Sequence, residues 1–293
     1  MTYLRFLILF IGLPSFAQDT QVTPFPMEES ALLWQITTST TADTSYLFGT
    51  MHLIEEDYFL FPEKLKNLAA NSDALVMELA GLPDPNESMA LVMLKEGSFF
   101  DYFDKKQTDS IIAWAEENMN VSEEMFRATF DKMKPFAVAS LAMQYQFKGE
   151  TRSYEKTFGE LAKENEIETI GLETVREQMG FFDDLTKKEQ TSLVMESIRD
   201  GEEAQGMLKQ MQQIYFNQEV DSLYMLVLDK GGTFSDKEAD FLDNRNSNWT
   251  PKIEAIIQEK KAFIAVGAGH LGGPKGVIRL LEKEGYTLTP IRL

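Results

Sequence analysis

Apolar and polar residues along this chain fall into short β-type runs at both ends and follow a helical period through most of the middle. Leu32-Leu33-Trp34-Gln35-Ile36-Thr37-Thr38 and Ser45-Tyr46-Leu47-Phe48 are rich in β-branched and aromatic residues, with a Thr/Ala/Asp turn between them. That pattern predicts a β-hairpin. A helix is predicted over 62–70. The apolar run Ala74-Leu75-Val76-Met77-Glu78-Leu79 reads as a further strand, ended by Gly81-Leu82-Pro83-Asp84-Pro85. From there to about residue 260 the period is mostly helical. Start signals lie at Ser122, at Pro135, at the capping box Thr186-Lys187-Lys188-Glu189 and at Thr250-Pro251. One strand, Glu168-Thr169-Ile170-Gly171-Leu172, interrupts these helices. A strand over 262–266, a helix over 276–284 and a strand over 287–291 complete the chain. The predicted fold is α/β (mixed α+β). A central mixed sheet is built from both ends of the chain, and a large helical middle region covers it. Residues 18–293 read as a single domain with helical insertions at about 86–165 and 174–260.

Residues 1–17 stand outside this pattern. One arginine, Arg5, precedes the apolar run Phe6 to Ile11, and Ser15-Phe16-Ala17 supplies small residues at a cleavage position. This is the make-up of a secretory signal peptide, with cleavage expected after Ala17. The run is far shorter than the roughly 20 residues that span a bilayer, and no later segment is apolar enough to do so. A periplasmic or secreted product without a membrane anchor is expected.

Composition narrows the chemistry. Among 293 residues, 47 Asp and Glu face 28 Lys and Arg, a formal net charge of −19 that repels phosphate backbones and argues against nucleic acid as a partner. Cysteine is absent, which excludes disulfides, thiol nucleophiles and Cys-based zinc sites. The Gly-x-Ser-x-Gly elbow, the His-Glu-x-x-His helix, the Walker loop and the dinucleotide fingerprint are missing too.

Histidine occurs only twice, and both times in the same context. Leu47-Phe48 runs into Gly49-Thr50-Met51-His52, and Ala265-Val266 runs into Gly267-Ala268-Gly269-His270. Each imidazole lies three residues past a glycine that ends an apolar strand. A glycine there permits a sharp turn or a close backbone approach, and the residues beyond it project over the edge where open α/β sheets bind ligands. One such histidine alone is more often a structural residue than a ligand; two in matching contexts point to function. Glu78 is a carboxylate at the end of a buried strand, a costly position unless paired or bound to a cation. Glu173 repeats the theme after Ile170-Gly171-Leu172, although it also suits a helix start. Arg245, taken alone, is either a surface residue or an anion holder. Two imidazoles and a carboxylate form an open metal site, with positions left for water and substrate.

The pairing of Tyr46-Leu47-Phe48-Gly49-Thr50-Met51-His52 with Val266-Gly267-Ala268-Gly269-His270-Leu271 resembles the TraB/GumN family, which includes the Tiki proteases. Val76-Met77-Glu78-Leu79, Gly171 to Gln178 and Arg245-Asn246 before Trp249 extend the resemblance over roughly 30–292. It implies a divalent-metal-dependent hydrolase; animal Tiki members trim the amino terminus of a secreted signalling protein. His52, Glu78 and His270 match the family's essential positions, while Glu173, Gln178 and Arg245 match further segments. Asn244 stands where the family commonly has an acid, so no acid role is expected there. The animal proteins' membrane anchor has no counterpart before Leu293.

The expected function is therefore peptide-bond hydrolysis on a peptide or protein substrate. Mn, Co or Zn would be held by His52, Glu78 and His270, with Glu173 as base and Arg245 as oxyanion stabiliser. Two alternatives use the same histidines: a metal-independent esterase-like hydrolase with His52 as base, and a haem- or metal-binding module.

Overall fold

The apolar runs from the two ends of the chain meet in one six-stranded sheet. We describe it from a computed structural model covering residues 23–38, 44–81, 85–199, 202–230 and 235–293. The segment read as a signal peptide, and its cleavage position, lie outside the described residues. The sheet strands are β1 (Leu33–Thr37), β2 (Ser45–Thr50), β4 (Ala74–Met77), β6 (Glu168–Gly171), β7 (Ala262–Gly267) and β8 (Thr287–Ile291). A separate two-stranded ladder joins β3 (Ile54–Glu55) to β5 (Thr151–Arg152).

In space the order is β6-β4-β7-β2-β1-β8. The neighbours β6, β4, β7 and β2 run parallel, while β1 lies antiparallel to both β2 and β8. The predicted mixed sheet is thus present. Its centre is the least polar part of the sequence. Ala262 to Val266 and Ala74 to Met77 are buried at every position, as expected for parallel strands covered on both faces. β8 at the edge alternates exposed Thr287 and Thr289 with buried Leu288, and its Pro290 is tolerated because only one side is paired.

Helix α1 (Glu63–Ala70) connects β2 towards β4. Between β4 and β6 lie α2 (Pro85–Val92), α3 (Lys105–Met119), α4 (Glu123–Phe130), α5 (Pro135–Gln144) and α6 (Tyr154–Glu164). Between β6 and β7 lie α7 (Val175–Asp183), α8 (Lys187–Ser197), α9 (Glu202–Phe216), α10 (Val220–Lys230) and α11 (Ser235–Glu259); α12 (Val277–Lys283) precedes β8. The start signals at Ser122, Pro135 and Thr186 open α4, α5 and α8 as predicted. The main core packs α6 and α11 against the sheet, with Trp34, Phe48, Phe158, Phe263, Trp249 and Ile253 fully buried. A second apolar cluster, including Phe99, Ile111, Phe126, Val138 and Val194, ties α3, α4, α5 and α8 to one another.

One expectation is corrected. Thr250-Pro251 reads as a helix start, yet Pro251 lies inside α11. Trp249, Ile253 and Ile257 recur at i, i+4 and i+8 and are all buried, so one apolar face anchors the helix on both sides of the proline. That packing outweighs the missing N–H of Pro251. As a result, the two turns before Pro251 carry Arg245, Asn246 and Trp249 to the sheet's rim.

Candidate active site at the carboxyl rim of the sheet

Four parallel strands end side by side, and each leads into one residue singled out from the sequence. Register sets the order. Thr50 of β2 pairs with Gly267 of β7, Ala265 of β7 with Met77 of β4, and Met77 with Gly171 of β6. The ladder continues past β4 and β6, where Leu172 N–H donates to Met77 O and Glu173 N–H to Glu78 O. His52, His270, Glu78 and Glu173 therefore follow the carboxyl ends of adjacent strands, the rim where open α/β sheets place ligands.

Both glycines of the two motifs have a steric reason. A Cβ on Gly49 would stand 3.0 Å from the Cα and Cβ of Ala268, so the first motif is glycine because the second packs against it. A Cβ on Gly267 would stand 3.2 Å from Oε1 of Glu78, the same atom that accepts the Gly267 N–H at 2.9 Å. The Gly267 backbone thus seats the carboxylate.

Arg245 sits at the centre. Its Nε and Nη2 donate to the two oxygens of Glu173 at 3.0 and 2.6 Å, a bidentate pair. Nη2 also donates to Glu78 Oε2 at 2.5 Å, and Nη1 lies 3.1 Å from His270 Nε2. The guanidinium is stacked between the rings of Phe241 and Trp249, at 4.5 and 4.6 Å. Glu173 Oε2 takes a further bond from Trp249 Nε1 at 3.2 Å, and Gln178 Nε2 donates to Glu78 Oε2 at 3.1 Å. The largely buried side chain of Glu173, the half-buried Glu78 and one guanidinium leave a net negative charge facing His270.

His270 is buried, with Trp249 tilted over its ring at 4.4 Å. The amide nitrogen of Asn246 donates to the carbonyls of Lys275 and His270, which turns Asn246 Oδ1 towards His270 Nδ1 at 2.7 Å. An amide oxygen only accepts, so Nδ1 carries the proton and Nε2 is left with its lone pair. Burial, reinforced by the Arg245 charge and opposed by Glu78, pushes the imidazole's pKa down to about 3. His270 is neutral at ordinary pH. Burial alone would raise the Glu78 carboxyl. Interactions with His270 and Arg245 and the Gly267 hydrogen bond outweigh that effect and hold it below its usual value. Because His270 is neutral, Arg245 and Gly267 account for most of this. Beyond His270, Asp221 accepts the Gly273 N–H at 2.8 Å and pairs with buried Arg279, which fixes the loop that follows.

His52 is placed differently. Its side chain is 91% exposed, and Nδ1 lies 3.5 Å from Glu155 Oε2. Contact with Glu155 raises its pKa against desolvation, and the charge of Glu78 adds to this. The structure thus joins His270, Glu78, Glu173 and Arg245 in one contact network, with His52 on the neighbouring strand end turned to Glu155. His270 and Glu78 come within 3.9 Å. Among the described residues, no three His, Asp or Glu side chains stand close enough together to form a ready metal cage. Sequence reasoning passed over Asn246, which holds the His270 ring, and Glu155, which lies beside His52. Asn246 is adjacent to Arg245, on the helical face that also carries Trp249. Glu155 carried no readable signal beyond its place in the first turn of a helix.

The profile of the TraB/PrgY/gumN family matches residues 32–290. The chain belongs to that family. It is the family expected from the paired Gly-x-x-His motifs, and the match spans both strand ends and everything between them. No curated protein and no solved structure matches the chain.

The metal that family resemblance implies is tested against the donors present. His270 offers an unprotonated Nε2, fixed by a hydrogen bond on its other nitrogen as metal-bound imidazoles commonly are. Glu78 offers an ionised carboxylate to the same point. Both already grip a cation there, the Arg245 guanidinium. The two donors suit a divalent ion in kind, but the guanidinium stands on both of them, and His52, turned to Glu155 on the adjacent strand end, is not brought to the pair.

Proposed function

We propose that this TraB/PrgY/gumN family member is an exported, metal-dependent hydrolase that cleaves peptide bonds at the carboxyl rim of its sheet. The observation that carries the reading is the convergence of a neutral imidazole, His270, and an ionised carboxylate, Glu78, on one point beside a guanidinium. Both side chains are also hydrogen-bonded within the protein, by Asn246 and Arg245 at His270 and by Arg245, Gln178 and Gly267 at Glu78, which holds them in place at the rim.

In this reading His52, Glu78 and His270 would hold the divalent ion, which would supply Lewis acidity for attack of water on a peptide carbonyl. The chain's own residues do the rest. Asn246 keeps the His270 proton on Nδ1, so Nε2 faces the site. Gly267 and Gln178 hold the two oxygens of Glu78. Glu173 anchors Arg245 through Nε and Nη2 and Trp249 stacks on it, which leaves Nη1 on the His270 side of the site, where it would stabilise a developing oxyanion. Glu173 is the anchor of that arginine, since both its oxygens are engaged by Arg245 and Trp249.

A second reading has its own support: exposed His52, with Nδ1 beside a carboxylate, has the arrangement of a general base acting without metal. Titrating Mn²⁺ or Zn²⁺ into chelator-stripped protein by calorimetry separates the two. The metal reading expects one site per chain, lost in His270→Ala and Glu78→Gln. No saturable binding, together with hydrolysis by the stripped protein, would favour the second reading.

A further inference from the structure

His270 is held at Nδ1 by Asn246, and His52 meets a carboxylate at the same ring position. We propose that Glu155 is the positioning residue for His52, holding its Nδ1 so that Nε2 is the nitrogen presented to the reaction. The inference rests on His52 working in the site proposed above, whether as ligand or as base.

The fold is built to bring these two side chains together. β3 begins two residues after His52, and β5 ends three residues before Glu155, and these two strands pair with each other, Ile54 opposite Arg152 and Glu55 opposite Thr151. Glu55 strengthens the junction. Its carboxylate accepts from the backbone of Lys148 and Gly149 and from Gln212, which in turn accepts the Glu55 N–H at 2.8 Å. Arg152 pairs with Glu56 across the same ladder. A two-residue ladder has no core of its own to justify it; its effect is to set the start of α6 against the first Gly-x-x-His motif. Glu155 is then fixed by residues of both segments. Thr50, inside the motif, donates to Oε1 at 3.1 Å, and Ser153, the α6 cap, donates to Oε2 at 3.0 Å. Oε2 is the oxygen that faces His52 Nδ1 at 3.5 Å. No hydrogen bond reaches Nε2 of His52 among the described residues.

The plain alternative is that Glu155 is only an acid in the first turn of α6, where it favours the helix dipole. That role would leave the His52 ring indifferent to it. Two histidines in the chain make the distinction accessible by long-range ¹H–¹⁵N NMR on the full-length, labelled protein at alkaline pH, where both imidazoles are neutral. His52→Ala assigns the signals. The proposal expects the His52 proton on Nδ1 in the wild type and still on Nδ1 in Glu155→Gln, whose amide oxygen also accepts. It expects a move to Nε2 in Glu155→Ala. A wild-type His52 that carries its proton on Nε2, or a tautomer unchanged in Glu155→Ala, overturns it. The wild-type spectrum decides even if a variant fails to fold. As a second readout, Mn²⁺ affinity should fall about 10–100-fold in Glu155→Ala and recover in part in Glu155→Gln. If the wild type binds no metal, the metal reading fails, while the tautomer still reports on Glu155.

Discussion

Nδ1 of His270 lies 2.7 Å from Oδ1 of Asn246, and the amide nitrogen of Asn246 is committed to the Lys275 carbonyl at 2.9 Å. The amide therefore has one orientation and the imidazole one tautomer. Asn246→Ala leaves a buried Nδ1–H without its acceptor, a loss of about 1–3 kcal/mol. Urea unfolding should show that loss, and calorimetry should show weaker Mn²⁺ binding. Unchanged values in both would detach Asn246 from the site.

Stability should depend on pH through His270. The folded imidazole stays neutral down to about pH 3, against 6.5 for the unperturbed group. Below 6.5 the unfolded chain binds a proton that the folded chain refuses. The His270 contribution is therefore full above that value and is lost as the pH falls. Between about pH 7 and pH 5 the loss from this one group is about 2 kcal/mol. Comparing wild type with His270→Asn by urea unfolding, in the presence of chelator, isolates it. Parallel pH profiles for the two proteins would mean that His270 titrates normally.

Arg245→Met removes the guanidinium that bridges the carboxylates of Glu78 and Glu173. Breaking such a pair costs about 3–5 kcal/mol. The deficit should shrink in acid, where Glu78, no longer held below its usual value by Arg245, takes up a proton. Arg245→Lys should not restore stability, because an ammonium cannot donate bidentately to Glu173 while it also bridges to Glu78 and His270. Equal stability of the lysine variant and the wild type would count against the clamp.

Gly49→Ala tests the contact between the two motifs. The added methyl meets Ala268 at 3.0 Å and Leu271 at 3.1 Å. Overpacking of this order costs about 1–3 kcal/mol. A lower melting temperature, with chemical-shift changes at His270 in a residue remote in sequence, is the expected result.

The sheet was legible in the sequence where strands are buried on both faces. Ala262 to Val266 and Ala74 to Met77 carry unbroken apolar runs that admit few other readings. The rim was legible because glycine directly follows such runs and because histidine is so scarce. Arg245 was not legible as a buried residue. Its burial depends on Phe241, Trp249 and Glu173, which only folding brings around it, and the Pro251 signal pointed to a helix starting after it. Glu155 was hidden for a similar reason: its approach to His52 is set by a two-residue ladder too short to leave a pattern.

The central claim is that the rim formed by His52, Glu78 and His270 hydrolyses peptide bonds with a bound divalent ion. Its most direct test is cleavage of a quenched peptide library by the purified protein, before and after exhaustive chelation and after Mn²⁺, Co²⁺ or Zn²⁺ is restored. The account predicts that chelation abolishes cleavage, that one of these ions restores it, and that His270→Ala stays inactive in every case. Cleavage that persists undiminished in the metal-free protein would contradict it.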